Sequence, residues 1–84
     1  MNSRNRKTLA ILFSEPVPRS LEWRRIESLL LASGCELIEG RGSRIAFKHG
    51  DLRADFRRPH PKKEAKPYQV RAAREFLREL EVIP

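Results

Sequence analysis

His60 stands between Pro59 and Pro61, with Arg57 and Arg58 before it and Lys62 and Lys63 after. An imidazole is the side chain best suited to exchanging a proton near neutral pH. The two prolines restrain its backbone. Neighbouring cations favour its neutral, proton-accepting form. The same cations suit a phosphate. His60 is thus either a proton-transfer group in a polyanion site or a surface-loop histidine. His49 precedes Gly50 and Asp51 and reads as a solvated turn residue. Arg44 stays protonated, so it cannot be a base. It can grip a phosphate with two donors and stabilise developing charge, or be an exposed strand arginine. Ser43 can hydrogen-bond a phosphate or shape a turn, and nothing beside it would activate it as a nucleophile.

The balance of charge supports a polyanionic partner. Eighteen Lys and Arg face eleven Asp and Glu, for a net +7. Residues 1–40 carry six positives and five negatives, whereas residues 41–74 carry eleven positives and three negatives. The excess therefore lies between Arg41 and Arg74, which marks that segment for a polyanion. Asp51 and Asp55 sit among arginines and read as ion-paired rather than as metal ligands. A single cysteine, Cys35, excludes an internal disulfide framework. With only two histidines beside it, a cysteine-rich zinc site is excluded as well, and no metal or cofactor is expected. Cys35 reads as a small buried hydrophobe. A small domain without disulfides suits a reducing cytoplasm. No apolar run is long enough to span a membrane.

Eighty-four residues build one small core. Residues 1–7 are polar and basic and are expected to be loose. Thr8 to Phe13 can form a short helix or turn capped by Thr8. Residues 1–19 are taken as an N-terminal extension that the core does not need, and residues 20–84 as the domain. Ser20 reads as an N-cap, and Trp23, Ile26, Leu29, Leu30 and Ser33 recur at helical spacing. Gly34 ends that helix. Residues 35–39, 43–49 and 52–58 read as three antiparallel strands, with turns at Gly40-Arg41-Gly42 and Gly50-Asp51. In the second, Ile45 and Phe47 share one face, and Arg44 and Lys48 the other. In the third, Leu52, Ala54 and Phe56 share a face. Pro59 and Pro61 end it.

Pro67 suits the first turn of a last helix. Val70, Ala73, Phe76, Leu77 and Leu80 line one side of it, and Arg71, Arg74, Glu75, Arg78 and Glu79 the other. The expected fold is α+β. Its order is α-β-β-β-α, a three-stranded antiparallel sheet with two helices on one face, plus the N-terminal extension. This is the order of the double-stranded-RNA-binding domain, which contacts phosphates and 2′-hydroxyls more than base edges. Tyr68 begins the last helix beside the basic loop and can stack on a base or stand exposed. Trp23 shares its helix's apolar stripe and reads as core.

Four pieces in this order resemble HicA-family toxins of type II toxin–antitoxin systems. They are the helix Trp23-Arg-Arg-Ile-Glu-Ser-Leu-Leu30 ending at Gly34, the turn Gly40-Arg-Gly-Ser43, the strand end Pro59-His60 with Lys62-Lys63-Glu64, and the helix from Pro67 to Leu80. The resemblance spans Leu21 to the C-terminus. It implies a small RNase that cleaves messenger RNA without a metal and is held inactive by a HicB-type antitoxin. In that family a catalytic histidine usually follows the glycine–serine pair. Here Gly42-Ser43 is followed by Arg44. Arg44 is accordingly assigned the phosphate and His60 the proton transfer. Arg41, Ser43, Lys48, Arg57, Arg58, Lys62, Lys63 and Tyr68 are expected to contact RNA.

Two other readings compete with the active toxin. One is a non-catalytic RNA-binding module of the same fold. The other is an antitoxin-binding protein whose basic face exists for an acidic partner.

Overall fold

A computed structural model describes all residues, 1–84. Helix α1 spans Ser3–Leu12 and α2 spans Trp23–Ala32. Strands β1 (Glu36–Glu39), β2 (Arg44–His49) and β3 (Leu52–Arg57) follow, and α3 (Pro67–Glu79) closes the chain. The strands form one antiparallel sheet in the order β1-β2-β3. From α2 onward the order is the expected α-β-β-β-α.

Alternation explains the sheet. Ile45, Phe47 and Phe56 point inward and are buried, whereas Arg44, Lys48, Arg53, Asp55 and Arg57 are exposed on the outer face. Phe56 lies 5.0 Å from the Trp23 ring in a tilted contact and 6.3 Å from Phe47 edge to face. Trp23, Ile26, Leu29 and Leu30 of α2 and Val70, Ala73, Phe76 and Leu77 of α3 join the core, as do Leu9 and Leu12 of α1, so residues 1–19 contribute to the core rather than standing outside it.

Residues 1–7 are not loose. They supply the first half of α1, capped by Asn2, whose Oδ1 accepts from the Asn5 amide at 2.8 Å. Asn5, Thr8, Leu9 and Leu12 recur at helical spacing and are buried. Two of the four are polar, so the stripe is inconspicuous in sequence. Both are satisfied: Ser28 donates to Asn5, and Arg25 donates to Thr8. Thr8 is therefore an interior residue of α1 and not its cap.

Ser20 does not cap α2. The helix starts at Trp23 because the chain before it pairs with another segment. The Trp23 amide donates to the Lys63 carbonyl at 2.9 Å, and the Ala65 amide donates to the Leu21 carbonyl at 2.8 Å. Cys35 closes the far end of α2, its amide donating to the Leu30 carbonyl, so β1 begins one residue later than expected. Gly34 provides the left-handed residue there, at φ 93°.

Arg74 was expected on the solvent side of α3 and is instead buried, 8% exposed. Its guanidinium donates to the Leu12 carbonyl at 2.8 and 3.0 Å, to the Ser14 carbonyl at 3.1 Å and to Glu15 at 2.8 Å. One side chain thus fastens the end of α1 to α3.

α3 ends in a Schellman-type turn, with the Val82 amide donating to the Leu77 carbonyl at 2.9 Å. The left-handed position is Glu81, at φ 62°. A side chain there costs roughly 1 kcal/mol that glycine avoids. Glu81→Gly should therefore stabilise the fold by about that much in denaturant titration. A destabilised variant would contradict this.

Candidate nucleic-acid interface

The outer face of the sheet carries three of the expected cations, Arg44, Lys48 and Arg57. Gly40 makes the tight turn that places them. Its amide donates to the Arg44 carbonyl at 2.8 Å, and a Cβ on Gly40 would lie 3.0 Å from that oxygen. Gly42 takes φ 58° in the same turn. Arg44 thereby starts β2 directly opposite Arg57 of β3.

Arg44 and Arg57 share a cleft of about 550 Å³ with Tyr68, Gln69 and the sheet's outer end. Tyr68 is 58% exposed, free to present its ring. Gln69 is buried and makes two bonds. Its Nε2 donates to the Arg57 carbonyl at 2.6 Å and its Oε1 accepts from the Lys66 amide at 2.9 Å. It ties the start of α3 to the arginine strand and fixes Tyr68 beside it. Sequence reasoning did not single out Gln69. Its signal was a polar residue adjoining the apolar stripe that begins at Val70.

Like charges placed opposite each other across strands repel. Neither Arg44 nor Arg57 has a carboxylate within ion-pair distance. Asp55, also in the cleft, is bound by Arg53 at 3.0 Å. That bond raises the Arg53 pKa. Arg44 and Arg57 are thus two uncommitted forks aimed at one space, an arrangement suited to a phosphodiester.

Arg58 departs from the expected surface. It follows Arg57 immediately, so it points to the helix side of the sheet. There it bonds Glu27 at 2.7 and 3.2 Å and Glu39 at 3.0 Å through two nitrogens. Glu27 also accepts from the Trp23 indole. The bonds to Glu27, then those to Glu39, raise the Arg58 pKa and keep it charged. With two carboxylates on one guanidinium, Arg58 braces β3, α2 and β1, and little of its charge is left for RNA.

The loop after β3 lies against the start of α2. Pro59, Arg58 and Lys63 share a second cleft of about 350 Å³ with Trp23, Arg24, Glu22 and Glu27. His60, Lys62 and Lys63 are exposed. His60 lines neither cleft. It lies on the loop that joins them, three residues beyond Arg57 and three before Lys63.

Arg41 and Ser43 are exposed in the β1–β2 turn, and Lys48 is exposed at the far end of β2, opposite Arg53. His49 sits at that far end too, beside Gly34. The five-residue step along β2 puts it about 16 Å from Arg44. Cys35 is buried, and burial raises its thiol pKa, so it is a poor nucleophile. No helix is long and apolar enough to cross a membrane.

No curated protein and no solved structure matches the chain. One family model does, over residues 23–82, described as the HicA toxin of bacterial toxin–antitoxin systems. The match runs from the first residue of α2 to just past α3 and takes in Arg44, Arg57, His60 and Tyr68. The chain belongs to the HicA family of toxins of bacterial toxin–antitoxin systems.

Proposed function

We propose that this toxin binds messenger RNA across the Arg44–Arg57 cleft and cleaves it as a metal-independent endoribonuclease in the cytoplasm. A HicB-type antitoxin holds it inactive by covering the basic sheet face and the His60 loop. The observation that carries the reading is the opposed pair Arg44 and Arg57, unpaired and adjoining an exposed Tyr68. A phosphodiester between the two arginines relieves their repulsion, while Tyr68 stacks on a neighbouring base.

In the proposed reaction His60 takes the proton of the ribose 2′-hydroxyl. The 2′-oxygen then forms a bond to phosphorus, and the bond from phosphorus to the 5′-oxygen breaks. The proton is returned to that 5′-oxygen. Arg44 and Arg57 stabilise the charge that develops on the phosphorane. The products are a 2′,3′-cyclic phosphate and a 5′-hydroxyl.

A second reading is a passive RNA binder. It is favoured by one feature: Arg44 stands where the family usually has its histidine, and His60 lies outside the arginine cleft.

Binding and cleavage are tested separately. Affinity for a labelled single strand should fall with salt, and Arg44→Gln or Arg57→Gln should each flatten the log–log slope by about 0.7. Binding insensitive to salt would remove the phosphate site. With EDTA present, the purified chain should still leave cyclic-phosphate ends. Intact RNA under those conditions would give the case to the passive binder.

A further inference from the structure

Counted along the chain, residues 1–40 are almost neutral. Folding changes that balance. Glu27 and Glu39 are drawn to Arg58, and Glu15 to Arg74, cations that come from the second half of the chain. Glu36 lies opposite Lys48 in the sheet. Only Glu22 remains among the N-terminal cations, 3.4 Å from Arg24.

The cations left behind meet in the furrow between α1 and α2. One hollow of about 440 Å³ holds Arg4, Lys7 and Arg25. The next, of about 420 Å³, is lined by Arg4, Arg24, Arg25 and Ser28, with no carboxylate. The two share Arg4 and Arg25. Arg24 also lines the cleft that contains Lys63, beside the His60 loop. The hollows therefore adjoin one another from Lys63 to Lys7. Arg25 uses only its Nε to bond Thr8, at 3.2 Å, which leaves the two terminal nitrogens of its fork for a ligand. α1 lies outside the residues shared with the family.

We propose that this furrow is a second phosphate-binding track, which carries a single RNA strand from the His60 loop over α2 and onto α1. The inference rests on the RNA reading of the arginine cleft. Arg4 and Arg25 have no carboxylate within ion-pair distance, and Arg24 has only the exposed Glu22, so the three repel one another until an anion joins them. A chain of evenly spaced phosphates matches the two acid-free hollows, which the Lys63 cleft adjoins with its own Glu22 and Glu27 already engaged by Arg24 and Arg58.

The test uses the full chain and single-stranded 2′-O-methyl RNA, which lacks the attacking hydroxyl. Oligonucleotides of about 5 and about 15 nucleotides bracket the footprint of one small domain. The variant is Arg4→Gln/Lys7→Gln/Arg24→Gln, which leaves Arg25 and its bond to Thr8 in place. On the longer strand it should bind at least tenfold more weakly, with a salt slope flatter by about 2. On the shorter strand it should match wild type. Arg44→Gln/Arg57→Gln should weaken both.

Unchanged affinity for the longer strand would overturn the track. So would equal losses on both lengths, which would show a general defect. Unchanged RNA binding with weakened capture of a HicB-type antitoxin would make the furrow a protein surface and would also overturn it. If wild type bound neither strand, the RNA reading of the arginine cleft would fall first, and the track with it.

Discussion

His60→Ala is expected to abolish growth arrest when the toxin is expressed without its antitoxin. The variant should stay folded and still bind the antitoxin, because His60 is exposed and forms no hydrogen bond within the fold. Cleavage requires a group that gains and loses a proton near neutral pH, and the chain has two histidines. His49 sits at the wrong end of β2, so His49→Ala should do little. His60 sits on the loop between two basic clefts. Removing a general acid–base group typically slows a reaction by about 10²–10⁴-fold. A growth assay registers a change of that size, and the appearance of cyclic-phosphate ends measures it directly. Arg44→His is the companion variant. It restores the histidine that usually follows the glycine–serine pair, so activity should hold or rise. Full toxicity of His60→Ala would end the assignment.

Arg74→Ala should be the most damaging single change to stability outside the apolar core. The residue is buried and donates to two main-chain carbonyls at the end of α1 as well as to Glu15. Truncation leaves the Leu12 and Ser14 carbonyls without that partner and removes the stem that packs beneath them. Phe13 also loses the Arg74 guanidinium, 5.8 Å from its ring centre, and keeps Arg78 at 5.3 Å. The buried Leu12 carbonyl left unsatisfied costs about 1–3 kcal/mol, and the lost packing of the buried Arg74 stem adds to it, so the loss should be about 2–4 kcal/mol. For a domain of this size that lowers Tm by roughly 10–25 °C. Arg74→Lys should recover only part of this, because an ammonium cannot reproduce the fork. A Tm within about 3 °C of wild type would show that α1 is held by its apolar contacts with α2 instead.

The sheet and the two later helices were legible because their apolar positions repeat cleanly. Ile45 and Phe47 alternate with Arg44 and Lys48, and Val70, Ala73, Phe76 and Leu77 keep helical spacing. α1 was legible only in its second half, from Thr8, because its buried stripe includes Asn5 and Thr8. Those two are tolerable only once Ser28 and Arg25 arrive from α2 to bond them. The start of α2 was misread for a similar reason. Its first amide is satisfied by the Lys63 carbonyl, forty residues away in the chain, and not by Ser20. Within the candidate site, Arg44 and Arg57 were found by residue type. Strand parity alone separates Arg57 from Arg58, since neighbours on a strand face opposite ways. What sequence could not supply was the fate of each carboxylate. Glu15, Glu27 and Glu39 are spent on distant arginines, and only the fold shows which cations they leave unpaired.

The two borders of the sheet are protected differently, and this bears on how the toxin behaves when crowded. At β3 the Arg57 carbonyl already accepts from Gln69, so part of that border is occupied by α3. At β1 the backbone has no further strand beside it. That strand is only four residues long and carries a carboxylate at each end, Glu36 and Glu39. An extended segment of another molecule laid along β1 would gain few main-chain bonds and would meet the Glu36 carboxylate at one end and the Glu39–Arg58 ion pair at the other. Short, charged margins of this kind discourage the strand-by-strand growth that leads to aggregates.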